Sequence, residues 1–287
     1  MPLPTSPVIR RARLGAELRQ LRRREALTLE QVCDRLGWAS TSKLSRIELG
    51  QSRPDLADVL DLLDIYQVPP PQRDALIIIA RDAAISRGWW KSLGEMGERQ
   101  RTYAELEAGA ADIVEYQPVL VPGLLQTPAY ARLRIAAGAL IDPKVDVEAD
   151  LRARTARHAV LRRIEPPHYT ALISGAACEP GGDPTDVWRE QLRHLLDLAE
   201  LPHVTIRLLP SVAGPQPMPL TPFSCYSFPD PADPRTVMLE ALTTDVRLST
   251  AADVERYQRM TDGLLEAALP EEETARLLTR RLEETQD

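Results

Sequence analysis

Two short helices, each with its own start and stop signal, constrain what this chain can fold into more than any other feature. Residues 28–31 read Thr-Leu-Glu-Gln, a capping box in which the threonine hydroxyl and the glutamine side chain each pair with the other residue's backbone amide. Gly37 predicts a left-handed end to that helix, and a second helix starts after Ser40 or Thr41 and stops at Gly50. Two short helices joined by a tight, glycine-containing turn predict a helix-turn-helix.

Apolar residues at helical spacing predict further helices on both sides of this pair. They predict one helix over residues 9–25, one over 55–66 and another over 72–86. The three consecutive prolines at 69–71 should end the N-terminal bundle, since proline cannot continue a helix.

A chain of 287 residues is long enough for about two domains. We predict a disordered arm over 1–8, a helix-turn-helix domain over 9–68, a helical linker over 69–98 and a sensor or interaction domain over 99–287. Short alternating segments after residue 110 predict strands at close spacing, and helical patterns surround them. The predicted fold is therefore an all-α helix-turn-helix bundle joined to an α+β C-terminal domain, in which helices flank a small antiparallel sheet.

Charge is divided unevenly along the chain. Residues 1–53 hold 11 Lys and Arg against 5 Asp and Glu, a net of +6, whereas the other 234 residues hold 24 against 37, a net of −13. Such an asymmetry indicates a nucleic-acid-facing end, although the whole chain carries a net charge of −7.

The sequence also excludes some classes of protein. Three cysteines far apart do not form a disulfide framework and favour a reducing compartment. The longest apolar run, residues 75–80, is far shorter than the ~20 residues of a membrane span. We expect a cytoplasmic, nucleoid-associated protein that contacts no membrane.

The paired helices resemble a known family. Residues 28–37 (TLEQVCDRLG) and 43–50 (KLSRIELG) are similar to the XRE family of phage-repressor-like DNA-binding domains. The turn between the helices is one residue longer than the commonest form, which leaves the start of the second helix uncertain by one position. The resemblance implies that this second helix enters the major groove of double-stranded DNA.

Residue chemistry predicts which side chains meet DNA. Arg46 can pair with guanine or phosphate, while Lys43 and Ser45 suit phosphate contacts. The interpretation of Glu48 is structural: a buried partner for an arginine of the first helix. The complete predicted DNA-binding set is Thr28, Ser40, Thr41, Ser42, Lys43, Ser45, Arg46, Gln51 and Arg53.

A second resemblance covers the chain from about residue 100. Residues 121–131 (VPGLLQTPAYA) are similar to the signature of the C-terminal domain of actinomycete WhiJ-like or antitoxin-like transcriptional regulators. That resemblance implies a small protein partner, because genes for such regulators often lie beside a gene for a small protein. Thr127 followed by Pro128 predicts a capped helix start within this segment.

A direct search for chemistry in the C-terminal domain finds weak candidates. Trp89 and Trp90 could line a ligand site, although packing at a domain junction explains paired tryptophans as well. Glu240 and Asp245 could act as acid and base, but strand carboxylates usually face solvent. The histidines and cysteines lack metal-site spacing, and no phosphate-binding glycine loop is present. We expect no cofactor, no metal and no enzyme activity.

Three functions remain open. The first is a transcriptional regulator that acts as a homodimer on a palindromic operator and binds an effector or a small partner protein. The second is an antitoxin-like adaptor whose main role is to bind a small partner protein, with autoregulatory DNA binding. The third is an enzyme fused to a DNA-binding head.

Overall fold

The computed structural model describes residues 6–85, 96–179, 182–210, 221–241 and 243–285. These residues form two compact units. The first contains the described part of Met1–Gly88 together with Ala108–Ala110 and Phe228–Pro234, and the second contains the described part of Trp89–Glu107, Ala111–Ser227 and Arg235–Asp287.

Five helices build the first unit. They are α1 (Pro7–Arg24), α2 (Leu29–Leu36), α3 (Ser42–Glu48), α4 (Leu56–Ile65) and α5 (Pro70–Ala84). Each helix contributes fully buried apolar side chains to one core, among them Leu18, Val32, Leu44, Leu62 and Ala83. The all-α bundle predicted for this end of the chain is thereby confirmed.

Two predicted boundaries differ from the structure. Helix α1 begins at Pro7, inside the segment 1–8 predicted as a disordered arm, because proline is pre-shaped for the first helical turn and Val8 is buried. Helix α5 lies in the stretch 69–98 predicted as a linker, yet it packs along α1 and belongs to the bundle. Its buried apolar face, which includes Leu76 and Ile79, accounts for this.

The second unit contains a six-stranded sheet. The strands are β1 (Asp112–Gln117), β2 (His168–Ser174), β3 (Val204–Leu209), β4 (Phe223–Ser227), β5 (Thr236–Leu239) and β6 (Val246–Leu248), in the spatial order β3-β2-β1-β4-β5-β6. The helices of this unit are the greater part of α6 (Glu98–Gly109), α7 (Pro128–Ala139), α8 (Val147–Arg157), α9 (Thr185–Ala199), α10 (Ala251–Ala267) and α11 (Glu271–Glu284). The predicted α+β class is confirmed.

The sheet is mixed rather than purely antiparallel. Strand β2 pairs in parallel with both β1 and β3. The pairs β1–β4, β4–β5 and β5–β6 are antiparallel. The connections at 118–167 and 175–203 contain helices, and such long crossovers are what parallel pairing requires. Strands β5 and β6 are antiparallel and are joined by the short connection 240–245.

Residues 121–127, directly before α7, are buried or half-buried. The Thr127 hydroxyl accepts a hydrogen bond from the Tyr130 amide at 3.2 Å, which confirms the predicted cap. The fully buried side chain of Gln191 accepts from the Thr127 amide at 2.8 Å and donates to the Leu125 carbonyl at 2.7 Å. One side chain of α9 therefore makes hydrogen bonds with two backbone groups of a buried loop.

Among the described residues, none of the helices combines the length and the apolar character that crossing a membrane requires.

Candidate nucleic-acid interface

Helix α2 begins as the sequence predicts. The Thr28 hydroxyl accepts from the Gln31 amide at 3.2 Å, and the Gln31 side chain accepts from the Thr28 amide at 2.9 Å. Gly37 ends the helix with a φ of +67°. Because the Thr28 amide is already paired and the Glu30 amide interacts with its own carboxylate, the amide of this turn that can face a phosphate is that of Leu29.

Helix α3 begins at Ser42, which settles the one-residue uncertainty of the sequence. Thr41 occupies the cap position in a helical conformation, and its side chain makes no capping hydrogen bond. Leu44 and Ile47 are buried in the bundle core, as predicted. Their side of the helix faces inward, so the opposite side faces solvent.

Two glycines let α1 and the end of α3 approach closely. A Cβ on Gly15 would lie 2.5 Å from the Ile47 carbonyl oxygen and 2.6 Å from that of Glu48. Gly50 adopts a φ of +66°, and a Cβ there would lie 2.8 Å from the Ala12 Cα. Backbone contact at both points fixes where α3 sits on the bundle.

An ion pair holds the same helix to α1. Arg22 donates to Glu48 through Nε at 2.6 Å and through Nη2 at 2.8 Å, and both side chains are largely buried. This two-point hydrogen bond raises the pKa of Arg22 above its ordinary value. The structural interpretation of Glu48 is therefore confirmed.

The predicted contact residues occupy the solvent face around α3. Arg46, Gln51 and Arg53 are exposed, and no side-chain hydrogen bond or ion pair within the described part of the chain holds Arg46 or Arg53. The remaining positions are exposed at Thr28, Ser40, Ser42 and Lys43 and half-buried at Thr41 and Ser45. All nine predicted residues lie in the first unit, on or next to α2 and α3.

The ammonium group of Lys43, predicted to contact phosphate, already has a partner within the protein. Its Nζ lies 2.6 Å from the Asp58 carboxylate and 4.2 Å from the centre of the Trp38 ring. A phosphate would have to compete with Asp58 for this ammonium. No local sequence signal predicts this pairing, because Asp58 lies on α4, fifteen residues away from Lys43.

The sequence also predicts candidate site residues in the second unit, namely Trp89, Trp90, Glu240 and Asp245. Trp89 and Trp90 lie outside the described residues. Glu240 and Asp245 do not face solvent as strand carboxylates usually do: Glu240 is half-buried, and the Asp245 side chain is 9% exposed and pairs with Arg99 at 2.7 Å. Within the described residues, no group of three or more His, Cys, Asp or Glu side chains is placed to hold a metal ion.

The bundle and its solvent face define a class of protein. A family model described as a helix-turn-helix domain matches residues 13–76, and a helix-turn-helix places the chain in the class of DNA-binding regulators. The same match supports the XRE-like resemblance of the first unit.

The particular family is defined by the rest of the chain. A second family model, described as a domain of unknown function (DUF5753), matches residues 100–280. Because this match covers more than half of the chain, the protein belongs to the DUF5753 family. No curated protein and no solved structure matches the chain.

Proposed function

We propose that this protein is a sequence-specific transcriptional regulator that binds a palindromic double-stranded DNA operator as a homodimer. The observation that carries the proposal is Arg46, an exposed guanidinium on α3 that no side chain of the described residues pairs. The helix beneath it is held by the Arg22–Glu48 ion pair and by the close approach at Gly15. A free cation on a firmly held helix that fits the major groove is suited to reading a base edge.

The neighbouring residues divide between base and phosphate contacts. Ser42 stands at the first turn of α3, where recognition helices present side chains to bases. Gln51 and Arg53 follow the helix and are exposed, so they suit contacts to the sugar-phosphate backbone. Half-sites of the operator should lie about one DNA turn apart, ~34–36 Å, because each recognition helix enters its own major groove.

The first prediction tests Arg46. We expect Arg46→Ala to cost ~1–3 kcal/mol of binding free energy and to relax base preference at one operator position. Arg53→Ala should instead weaken binding to all sequences evenly. Fragments enriched from genomic DNA by the purified full-length chain identify the site, and titration of that site with each variant gives the affinities.

The control is Arg152→Ala, which removes an exposed arginine of α8 in the second unit. This variant should bind the operator like the wild-type protein. If Arg46→Ala binds the operator with unchanged affinity and unchanged base preference, Arg46 is not part of the DNA interface. Absence of any enriched site would contradict DNA binding by the chain alone.

We extend the proposal to the second unit, which we assign to binding an effector or a small partner protein rather than to catalysis. The resemblance of residues 121–131 to WhiJ-like or antitoxin-like regulators supports this assignment. A cytoplasmic, nucleoid-associated location follows from the same function. Co-purification of a stoichiometric small protein, with operator affinity unaffected by its removal, would favour the antitoxin-like adaptor instead.

A further inference from the structure

A cleft of about 720 Å³ opens within the second unit. Its volume is in the range of sites that hold small organic ligands. Apolar side chains form one part of its wall, namely Leu120, Ile135, Ile141 and Val145. Ile141 is 69% exposed, so an apolar surface stands open to solvent beside the cleft.

Other side chains that line the cleft are charged. Glu115 on β1 is 7% exposed; its carboxylate accepts from the Tyr169 hydroxyl at 2.7 Å and from Gln117 Nε2 at 3.0 Å. The same Gln117 nitrogen lies 3.4 Å from Glu240 Oε1. Two carboxylates therefore share one neutral amide group, and neither forms an ion pair with a cation of the described residues.

The arginines of the cleft compensate this charge only in part, although Arg99 and Arg157 both favour the ionised form of Glu240. Four arginines line the cleft. Three of them are paired with carboxylates that lie outside it: Arg99 with Asp245, Arg134 with Asp183 and Arg157 with Glu107.

Arg154 is the fourth arginine; its Nη1 donates to the neutral Gln126 at 2.8 Å. The carboxylates that do line the cleft are Glu115, Asp142, Asp150 and Glu240. Negative groups thus outnumber the cations left to neutralise them.

Tyr103 on α6 provides an independent sign of a missing partner. Its side chain lines the cleft, the residue is only 5% exposed, and its hydroxyl has no hydrogen-bond partner among the described residues. A buried hydroxyl without a partner costs free energy, because folding removes its hydrogen bond to water and supplies no replacement. Glu240 and Asp245 act electrostatically on this hydroxyl, and Arg99 and Arg157 act on it with the opposite sign, so the hydroxyl lies in the charged part of the cleft.

We propose that this cleft binds an amphipathic organic cation, with a protonated amine seated between Glu115, Glu240 and the Tyr103 hydroxyl and an apolar body against Ile135 and Ile141. The carboxylates would accept charge-assisted hydrogen bonds from the amine, and the tyrosine oxygen would accept a further one. The inference names the effector class of the proposed function and rests on it for that role.

The experiment uses three probes that share one carbon chain: hexylamine, 1-hexanol and hexanoate. Saturation-transfer NMR on the full-length protein without DNA reports contact for each probe. We expect transfer to the amine that exceeds transfer to the alcohol and the acid. Equal transfer to all three, or stronger transfer to hexanoate, would overturn the proposal.

Matched variants locate the binding site. Glu240→Gln should weaken amine binding by about 10- to 100-fold, the value of a hydrogen bond to a charged group, and Tyr103→Phe should weaken it less. Glu266→Gln removes an exposed carboxylate of α10 outside the cleft and should change nothing. Amine binding that survives in Glu240→Gln would overturn the assignment to this cleft. Circular dichroism of each variant checks that it is folded.

The cation site and the regulatory role can fail separately. Operator affinity with and without hexylamine, measured on wild type and Glu240→Gln, tests whether the site acts on DNA binding. If the amine binds the cleft but leaves operator affinity unchanged, the result supports the cation site and contradicts its effector role. If the protein binds no operator at all, the NMR result is unaffected.

Discussion

Glu240 lies where burial and a neighbouring carboxylate both disfavour its negative charge. Burial is the larger cause, Glu115 adds to it, and together they raise the pKa of Glu240 to about 7. Burial also raises the pKa of Glu115. The other charged groups that act on Glu240 are Arg99 and Arg157, which favour its ionised form, and Asp245, which opposes it.

This pKa predicts how stability depends on pH. The folded protein retains the Glu240 proton up to about pH 7, whereas the unfolded chain loses it near the ordinary value of 4.5. Glu240 therefore makes the free energy of unfolding fall as pH rises between these two values. Glu240→Gln should be more stable than wild type at about pH 8, by on the order of 1–3 kcal/mol, and should lose this advantage toward about pH 4.5.

Denaturant unfolding at several pH values measures this difference. Glu266→Gln serves as the comparison, because its carboxylate is exposed and lies outside the cleft. A stability gain for Glu240→Gln that is the same at every pH would show that the folded protein does not hold a proton on Glu240.

At the scale of elements, the placement of α3 depends on the absence of a side chain on α1. Replacing Gly15 by alanine would put a Cβ against two backbone carbonyl oxygens, which cannot move aside as a flexible side chain can. We expect Gly15→Ala to destabilise the first unit by ~1–3 kcal/mol, the usual cost of overpacking. The same shift of α3 should weaken operator binding.

Gly263→Ala is the matched control within a helix. Gly263 lies in α10, and an added Cβ would meet nothing within 4 Å. Removing a helical glycine should therefore stabilise the second unit by roughly 0.5–1 kcal/mol. Differential scanning calorimetry compares the two variants, and a Gly15→Ala protein as stable as wild type would show that the α1–α3 contact is not tight.

At the scale of the whole molecule, charge is distributed differently from what a cut at residue 53 suggests. The first structural unit carries 14 Lys and Arg against 13 Asp and Glu, a net of +1, because α4 and the segment Phe228–Pro234 add acidic residues. Arg13, for example, lies 2.5 Å from Asp230 and 3.0 Å from Asp233. Pairs of this kind reduce the number of cations in this unit that are free for phosphates.

This distribution predicts a shallow dependence of operator affinity on salt. Each phosphate that is neutralised contributes about −0.9 to the slope of log affinity against log salt, so a few phosphates per protomer give a slope of a few units for each protomer bound. Arg53→Ala should make the slope less steep by about one for each protomer bound to the operator. Titrations at several salt concentrations measure it, and a slope near zero would contradict phosphate binding.

Local signals determined helix boundaries in both units. The capping box at Thr28, the left-handed Gly37 and the Thr127 cap each act through bonds within a few residues, so the sequence alone predicted them correctly. The all-α and α+β classes follow from hydrophobic spacing, which is also local. Even the structural role of Glu48 was accessible, because a carboxylate is unsuited to face DNA.

Only the tertiary structure decided which distant groups meet. Long-range contact joins Lys43 to Asp58, aligns β2 in parallel with β1 and β3, and packs α5 into the bundle core. It also gathers the carboxylates of the cleft from separate segments and leaves the Tyr103 hydroxyl without a partner among the described residues. Burial and charge pairing depend on how segments far apart in the chain pack together, and no local pattern encodes that packing.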